Sequence, residues 1–500
     1  MKLKNSHCMN RKLTLIAAML FITLAASAQP FEKAMRSNLW NDGSNANGIR
    51  QDTTGISYAE LYGGFKSGDY HDTYEYSKGW TAGARAASVK HLKKFSMSGS
   101  FGFEQTQGND MCGSMFIHPG FYPIDALEFT PGRKTLQKYS FSGGISVDVA
   151  PLWRVGGKID FESSNYAKRK DLRHTNYRLD FEVSPGVQYH NGDFAVGLNY
   201  IFSKNSEYTD AEQIGTGKES LYAFLDKGMM YGAYELWEGS GVHLYTSGIS
   251  IGLPLTENIH GVAAQVSWKG FFAEARWRHR SGFAGEKQYI WYRFPGNDAA
   301  LTFGYSIADK HYLRLSLQDF RQTNNETVIE NVTVGGITTP VEHGSNHLLS
   351  RVNDKLQAEY DLYTDGFELR AALSGEWNLS QVSPMYPYVF EQKLTMFRAS
   401  VDGLWHVGDW DFGTGILFSE GSCSEESRMV SNDSGVTTNP FRLDEWNVAH
   451  MNYLCNPAIT IAPHVRWNFG PGLYTELAGL VATDFNTYRG GATLKFGYNF

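Results

Sequence analysis

The sequence predicts an all-β protein: a transmembrane antiparallel up-and-down β-barrel of about 18 strands (alternatives 16 or 14), with short periplasmic turns and long extracellular loops. Three observations predict it. The chain opens on an export-type segment, no later apolar run is long enough for a membrane helix, and tight turns recur between stretches whose apolar residues oppose one another.

The first element is the export segment. Arg11 and Lys12 precede an apolar run from Leu13 to Ala26, and Ala26-Ser27-Ala28 supplies the small residues a signal peptidase needs. Residues 1–28 therefore read as a removable signal, 29–56 as a periplasmic N-terminal segment and 57–500 as the barrel. Removing Lys2, Lys4, Arg11 and Lys12 with the signal takes the formal charge from −7 to about −11, so nucleic acid is excluded as a partner. The remaining Cys112, Cys423 and Cys455 are odd in number and widely spaced, which fits neither a disulfide framework nor a zinc site. Glycine is abundant at 52 residues, proline sparse at 15, and aromatic residues make up 14% of the chain. With the mean hydropathy negative at −0.36, only a water-soluble fold or a barrel remains.

The hairpins decide between these two. In a membrane barrel each strand alternates lipid-facing apolar residues with lumen-facing polar ones. Counting outward from Asn191-Gly192 pairs Tyr189 with Phe194, Val187 with Val196 and Phe181 with Phe202. Around Lys269-Gly270, Trp268 meets Phe271 and Val262 meets Trp277. Around Asp365-Gly366, Leu362 meets Leu369 on one face while Asp361 meets Arg370 on the other. Ala150-Pro151-Leu152 matches Val149 to Trp153 and Asp148 to Arg154, and Gly408-Asp409 joins Trp405 to Phe412.

The same alternation places strands near 57–65, 80–88, 95–105, 139–149, 153–163, 177–189 and 194–204 in the first half. The second half gives 260–268, 271–281, 301–307, 313–320, 354–364, 367–377, 396–407, 410–420, 459–469, 473–481 and 490–500. Long connections at 106–138, 205–259, 321–353 and 421–458 are then outer loops.

In the last strand Ala492, Leu494, Phe496, Tyr498 and Phe500 alternate with Gly491, Thr493, Lys495, Gly497 and Asn499. A terminal strand of this form, with Phe500 as the assembly signal, looks like the mark read by the barrel-assembly machinery. With the export signal ending Ala28-Gln29, it makes the chain resemble outer-membrane β-barrel proteins of the Bacteroides type, including an uncharacterised family found beside nutrient-uptake receptors. The resemblance implies the cell outer membrane and its lipid as surroundings. It carries over no catalytic or ligand residue.

Function is read from the lumen and the loops. Arg276, Arg278 and Arg280 share the inward face of one strand with Glu274, a basic ladder suited to anionic or hydroxyl-rich solutes, or to neutralising inward acids such as Asp160, Glu162, Asp180 and Glu182. Arg314, Arg398 and Arg466 are inward on other strands. In the loop 221–246, Phe224, Met229, Met230, Tyr231, Tyr234 and Trp237 are too many large apolar groups to stand in water, so they form a constriction, pack on neighbouring loops or dock a partner. Phe116, Phe121, Tyr122 and Phe129 fall under the same argument. His406 opposite Asp411 reads as a structural ion pair near a short turn, and His260 opposite His279 as part of an interfacial girdle. No serine sits in a nucleophile motif, and the loop histidines lack metal-ligand spacing, so no catalytic residue, metal or cofactor is expected.

The polar stretch from Asn41 to Gly48 is too short for a folded plug and serves as a periplasmic tail or a small lumen insert. The expected function is thus a channel or transport-associated barrel for small polar or anionic solutes, without a TonB-type plug. The alternative is a non-conducting scaffold or accessory subunit binding a surface lipoprotein or a TonB-dependent receptor, and a rim-located hydrolase stands third.

Overall fold

The computed structural model of the protein describes residues 29–51, 55–212, 223–227, 234–237, 245–246, 249–250, 252–286, 289–382, 388–429 and 443–500. The export segment 1–28 lies outside the described residues. Alternation of apolar and polar residues produces long strands, and these form one sheet of 20 strands. Two of them, Ala223–Asp226 and Tyr234–Trp237, are short additions in an outer loop; the other 18 run antiparallel in chain order and close when Ile56–Gly68 pairs with Tyr488–Asn499. Closure leaves no open edge in the hydrocarbon. At the seam, Phe500 and Ser57 exchange backbone hydrogen bonds of 2.9 and 3.0 Å.

The turns set the register. Lys269 and Gly270 both adopt positive φ, 45° and 82°, as a two-residue type I′ turn requires, and Trp268 faces Phe271 and Val262 faces Trp277 as expected. The hairpins at Asp365 and Gly408 also keep their expected pairs, including Asp361 with Arg370 and Trp405 with Phe412. Two registers differ. At Gly192, φ is 57° and the turn residues are Gly192 and Asp193, so Asn191 stays in the ladder opposite Phe194 and Tyr189 faces Val196. Glycine at the first central position favours this type II′ geometry over a turn centred on Asn191. The shift is two residues, an even number, so every side chain keeps its face. At Pro151 a bulge after Asp148 places Ala150, not Val149, opposite Trp153.

The outer connections are shorter than expected because the strands continue into them. Phe95–Ser114 and Asp125–Ala150 take up most of 106–138, and His311–Val334 with Ile337–Tyr363 leave only Gly335 and Gly336 between them. Tilted strands of about 9–11 residues cross the hydrocarbon. The 24- and 27-residue strands of that last hairpin therefore project well beyond it.

Outward positions are apolar and open, as at Leu198 (57% exposed), whereas the adjacent inward Asn199 is 2% exposed. The lumen is consequently the interior of this protein, and the outer-membrane location follows from the barrel itself. Helix α1 (Gln29–Arg36) and two 3-10 turns, Leu39–Asp42 and Ala46–Gln51, lie inside it. Helix α2 (Leu443–Cys455) packs at the outer rim, where Trp446 meets Tyr74 edge-on at 4.4 Å and Tyr453 meets Tyr70 at 5.2 Å. Burial, then Asp484, pushes the Tyr70 hydroxyl up to about 12, so it stays a neutral packing group.

Candidate functional site

The N-terminal segment is held in the periplasmic half of the lumen by polar contacts along its whole length. Arg36 Nε donates to Asp361 Oδ2 at 2.9 Å, and its Nη2 pairs with Glu359. Arg314 bridges the insert and the wall, donating to Asp42 at 2.7 Å and to Asp361 at 2.6 Å. Glu32 pairs with Arg370 at 2.7 Å and Lys33 with Glu368 at 2.8 Å. Trp40 Nε1 donates to Ser267 at 2.9 Å, and its ring packs on Phe272 at 5.4 Å. Arg50 closes the far end on Asp148 at 2.8 Å and on the carbonyls of Leu92 and Lys93.

Between these anchors the insert is read by amides. Asn45 Nδ2 donates to Gln265 at 3.0 Å and to the Val187 carbonyl at 3.2 Å, while Asn47 Nδ2 reaches the Gly186 carbonyl and Ser146 donates to Asn47 Oδ1 at 2.7 Å. Ser44 donates from N and Oγ to Glu274 at 2.7 and 3.0 Å. The wall makes room through glycine. A Cβ at Gly186 would stand 2.8 Å from Asn45 Oδ1, at Gly197 2.8 Å from Asn45 Nδ2, and at Gly156 2.7 Å from Asn47 Oδ1. These inward glycines form a groove that the insert occupies. A cleft of about 850 Å³ remains beside α1, bounded by the turns at Gly192 and Lys269.

The outer half is closed by the segment 115–124. Met115, Phe116, Tyr122 and Ile124 join an apolar cluster with inward Leu255, Tyr292, Phe294 and Leu349. Three arginines hold this lid. Arg351 donates to the carbonyls of Gly120, Phe121 and Tyr122; Arg178 lies 4.1 Å from the Phe121 ring centroid and Arg280 5.5 Å from it. The Ile117 amide donates to Glu207 at 3.0 Å.

The ladder residues are spoken for unequally. Arg280 makes two bonds to Glu257, at 3.0 and 2.7 Å, and is 7% exposed. Arg278 pairs with Asp298 at 2.7 Å and Glu182 at 3.8 Å. Glu274 receives Ser44 and Gln265, so its partners are the insert and the wall. Of the three ladder arginines, only Arg276 has a buried Nε without an acceptor among the described residues. Arg398 stands 3.9 Å from Glu376, and the buried Arg466 stacks on Tyr474 at 3.5 Å.

Of the loop candidates, Phe224 is 1% exposed, sits opposite Leu127 in a short strand pair and meets Phe129 at 5.8 Å. Tyr234 and Trp237 lie on the strand opposite Asp226 and Ala223. Met229, Met230 and Tyr231 fall outside the described residues. His406 bonds Asp411 at 2.7 Å within a periplasmic network that includes Glu368 and Asn468. His260 bonds Tyr200 at 2.6 Å on the lipid side. Sequence reasoning missed Arg36, Asn45, Asn47, Arg178 and Arg351 as the residues that close the lumen. The available signal was the coincidence of the Asn-rich stretch 41–48 with inward glycines at 156, 186 and 197.

A family model described as a family of unknown function (DUF6850) matches residues 46–500. No curated relative matches the chain. Among solved structures, the chain is similar to the copper transporter OprC (7% identity, 88% of this chain and 80% of that one, TM-score 0.38). It is similar also to the siderophore receptor PirA from Acinetobacter baumannii (8%, 89% and 81%, TM-score 0.41) and to the ferric citrate transporter FecA (9%, 89% and 78%, TM-score 0.39). The expectation of a plug-free channel for small polar or anionic solutes is corrected by the contents of the barrel. The lumen is filled by the chain's own residues 29–51 and 115–124. Two of the three ladder arginines, Arg278 and Arg280, are paired with the wall acids Asp298 and Glu257.

Proposed function

The chain belongs to the DUF6850 family of unknown function, and we propose that it is an outer-membrane receptor of the plugged-barrel kind. Residues 29–51 serve as the plug and 115–124 as an outer lid, and ligand passage requires both to be displaced. The observation that carries this reading is the chemistry of the plug contacts. They are mostly hydrogen bonds and ion pairs lining a groove of glycines, with one small apolar cluster where Leu39 and Trp40 meet Phe272 and Tyr312. Polar groups freed from such contacts can be taken up by water, so withdrawing the plug costs far less than tearing open a hydrophobic core.

Several features accompany the proposal. The Bacteroides-type origin, the export signal and recognition of Phe500 by the barrel-assembly machinery belong to it, and no catalytic step is assigned. A surface lipoprotein or a companion TonB-dependent receptor would meet the projecting hairpin His311–Val334 and Ile337–Tyr363 on the outer side.

Planar-bilayer recording tests it. The parent protein is expected to be silent, and Gly197→Val, which drives a side chain into Asn45 and Gln265, is expected to open transient conductance. A Ser44→Cys/Asn199→Cys pair, placed where these side chains now bond at 3.2 Å, should silence that variant when oxidised. A parent that conducts freely, or a Gly197→Val barrel that folds and stays closed, would refute the plug.

A further inference from the structure

Two carboxylates face each other across neighbouring strands near the outer end of the lumen. Glu162 and Asp180 are direct register partners, and Asp160 and Glu182 form a second such pair two residues along. Like charges directly opposite are destabilising, so this patch of wall needs cations. His118 comes down onto it from the lid, with Nε2 3.7 Å from Glu162 Oε1. One donor atom each from His118, Glu162 and Asp180 falls within 4.8 Å of the others. The three side chains retain access to the lumen, at 45%, 22% and 26% exposure.

We propose that His118, Glu162 and Asp180 form a binding site for a divalent transition cation of the zinc type, which fastens the lid to the barrel wall. An imidazole and two carboxylates are a donor set that Zn²⁺ accepts, and three protein ligands leave a position open for water or an incoming ligand. Bonds of about 2.0–2.2 Å to a tetrahedral centre bring donor atoms to roughly 3.5 Å apart, so the present triangle has only to contract slightly. The histidine belongs to the lid and the acids to adjacent wall strands, so binding and lid closure are one event.

Existing cations set the terms of the competition. Lys138 pairs with Glu162, Arg178 holds Asp180 through both oxygens at 2.7 and 2.9 Å, Lys158 pairs with Asp160 at 2.9 Å, and Arg278 lies 3.8 Å from Glu182. Each carboxylate oxygen keeps a second lone pair, so Arg178 can remain while the metal binds. Lys138 is the direct rival, because its ammonium occupies Glu162 from the open side. The site does not depend on the plug: it involves no residue of 29–51.

The test is calorimetric titration of the full chain in detergent with Zn²⁺ at neutral pH, with hydrogen exchange of 116–124 followed in parallel. The parent should bind one ion and slow exchange in the lid. His118→Ala should weaken binding at least tenfold without lowering the melting temperature, since His118 is exposed on a loop. Lys138→Gln should tighten binding several-fold by removing the rival cation, an effect that loss of folding cannot imitate. A parent that binds no Zn²⁺, or binding that His118→Ala leaves unchanged, overturns the proposal.

Discussion

Arg36 of helix α1 donates to Asp361 of the barrel wall at 2.9 Å, although 325 positions separate them. Asp361 is fully buried and also receives Arg314 at 2.6 Å, with Arg370 at 3.5 Å. One acid on the wall thus collects three arginines, and one of them belongs to the insert. Replacing Arg36 by Gln removes the partner of Glu359 but leaves Asp361 with two. The expected loss is about 1–3 kcal/mol, the cost of an under-satisfied buried charge. Denaturant unfolding of the refolded barrel measures it. In a double-mutant cycle with Glu359→Gln the losses should be clearly less than additive.

The arginine ladder separates into two energetic classes. Arg280→Gln strips the fully buried Glu257 of its bidentate partner, for which about 3–5 kcal/mol is expected. Arg276→Gln removes a guanidinium whose Nε has no acceptor, so the change should stay within about 1 kcal/mol. Equal losses in the same unfolding experiment would contradict the pairing described here.

Arg351 spans the lumen to hold three consecutive lid carbonyls. Arg351→Gln should free the lid while leaving the barrel strands closed. The readout is faster hydrogen exchange confined to residues 116–124, with strand amides protected as in the parent. Uniform loss of protection would instead assign Arg351 to the stability of the whole barrel.

Register is open to a direct check on one strand. A nitroxide at Leu198, 57% exposed on the outer wall, should relax against a lipid-soluble quencher, and one at Asn199, 2% exposed behind the insert, should not. Reversed accessibility would place this strand with the wrong face to the membrane.

The faces of the strands were legible because lipid and lumen impose a period of two on every strand, and turn residues such as Lys269-Gly270 fix the phase locally. Even the misjudged turn at Gly192 slipped the register by two and preserved the faces. Loop lengths were not legible. Beyond the membrane the pattern weakens, and strands such as Ile337–Tyr363 are sustained there by ladder hydrogen bonds that any sequence can make.

Sequence by itself determined that the chain is a barrel of about 18 strands with its polar residues inward, since each hairpin is a local contest between water and lipid; closure at 18 is seen in the structure. Only the tertiary structure decided what fills that interior. The contacts of Arg36 with Asp361, Asn45 with Gln265, and Arg351 with the lid carbonyls join residues 220 to 325 positions apart. No periodicity encodes such pairs, because polar residues facing water and polar residues facing a plug look the same along one strand. They become partners only when closure of the barrel forces every inward group to find a donor or an acceptor in one confined volume.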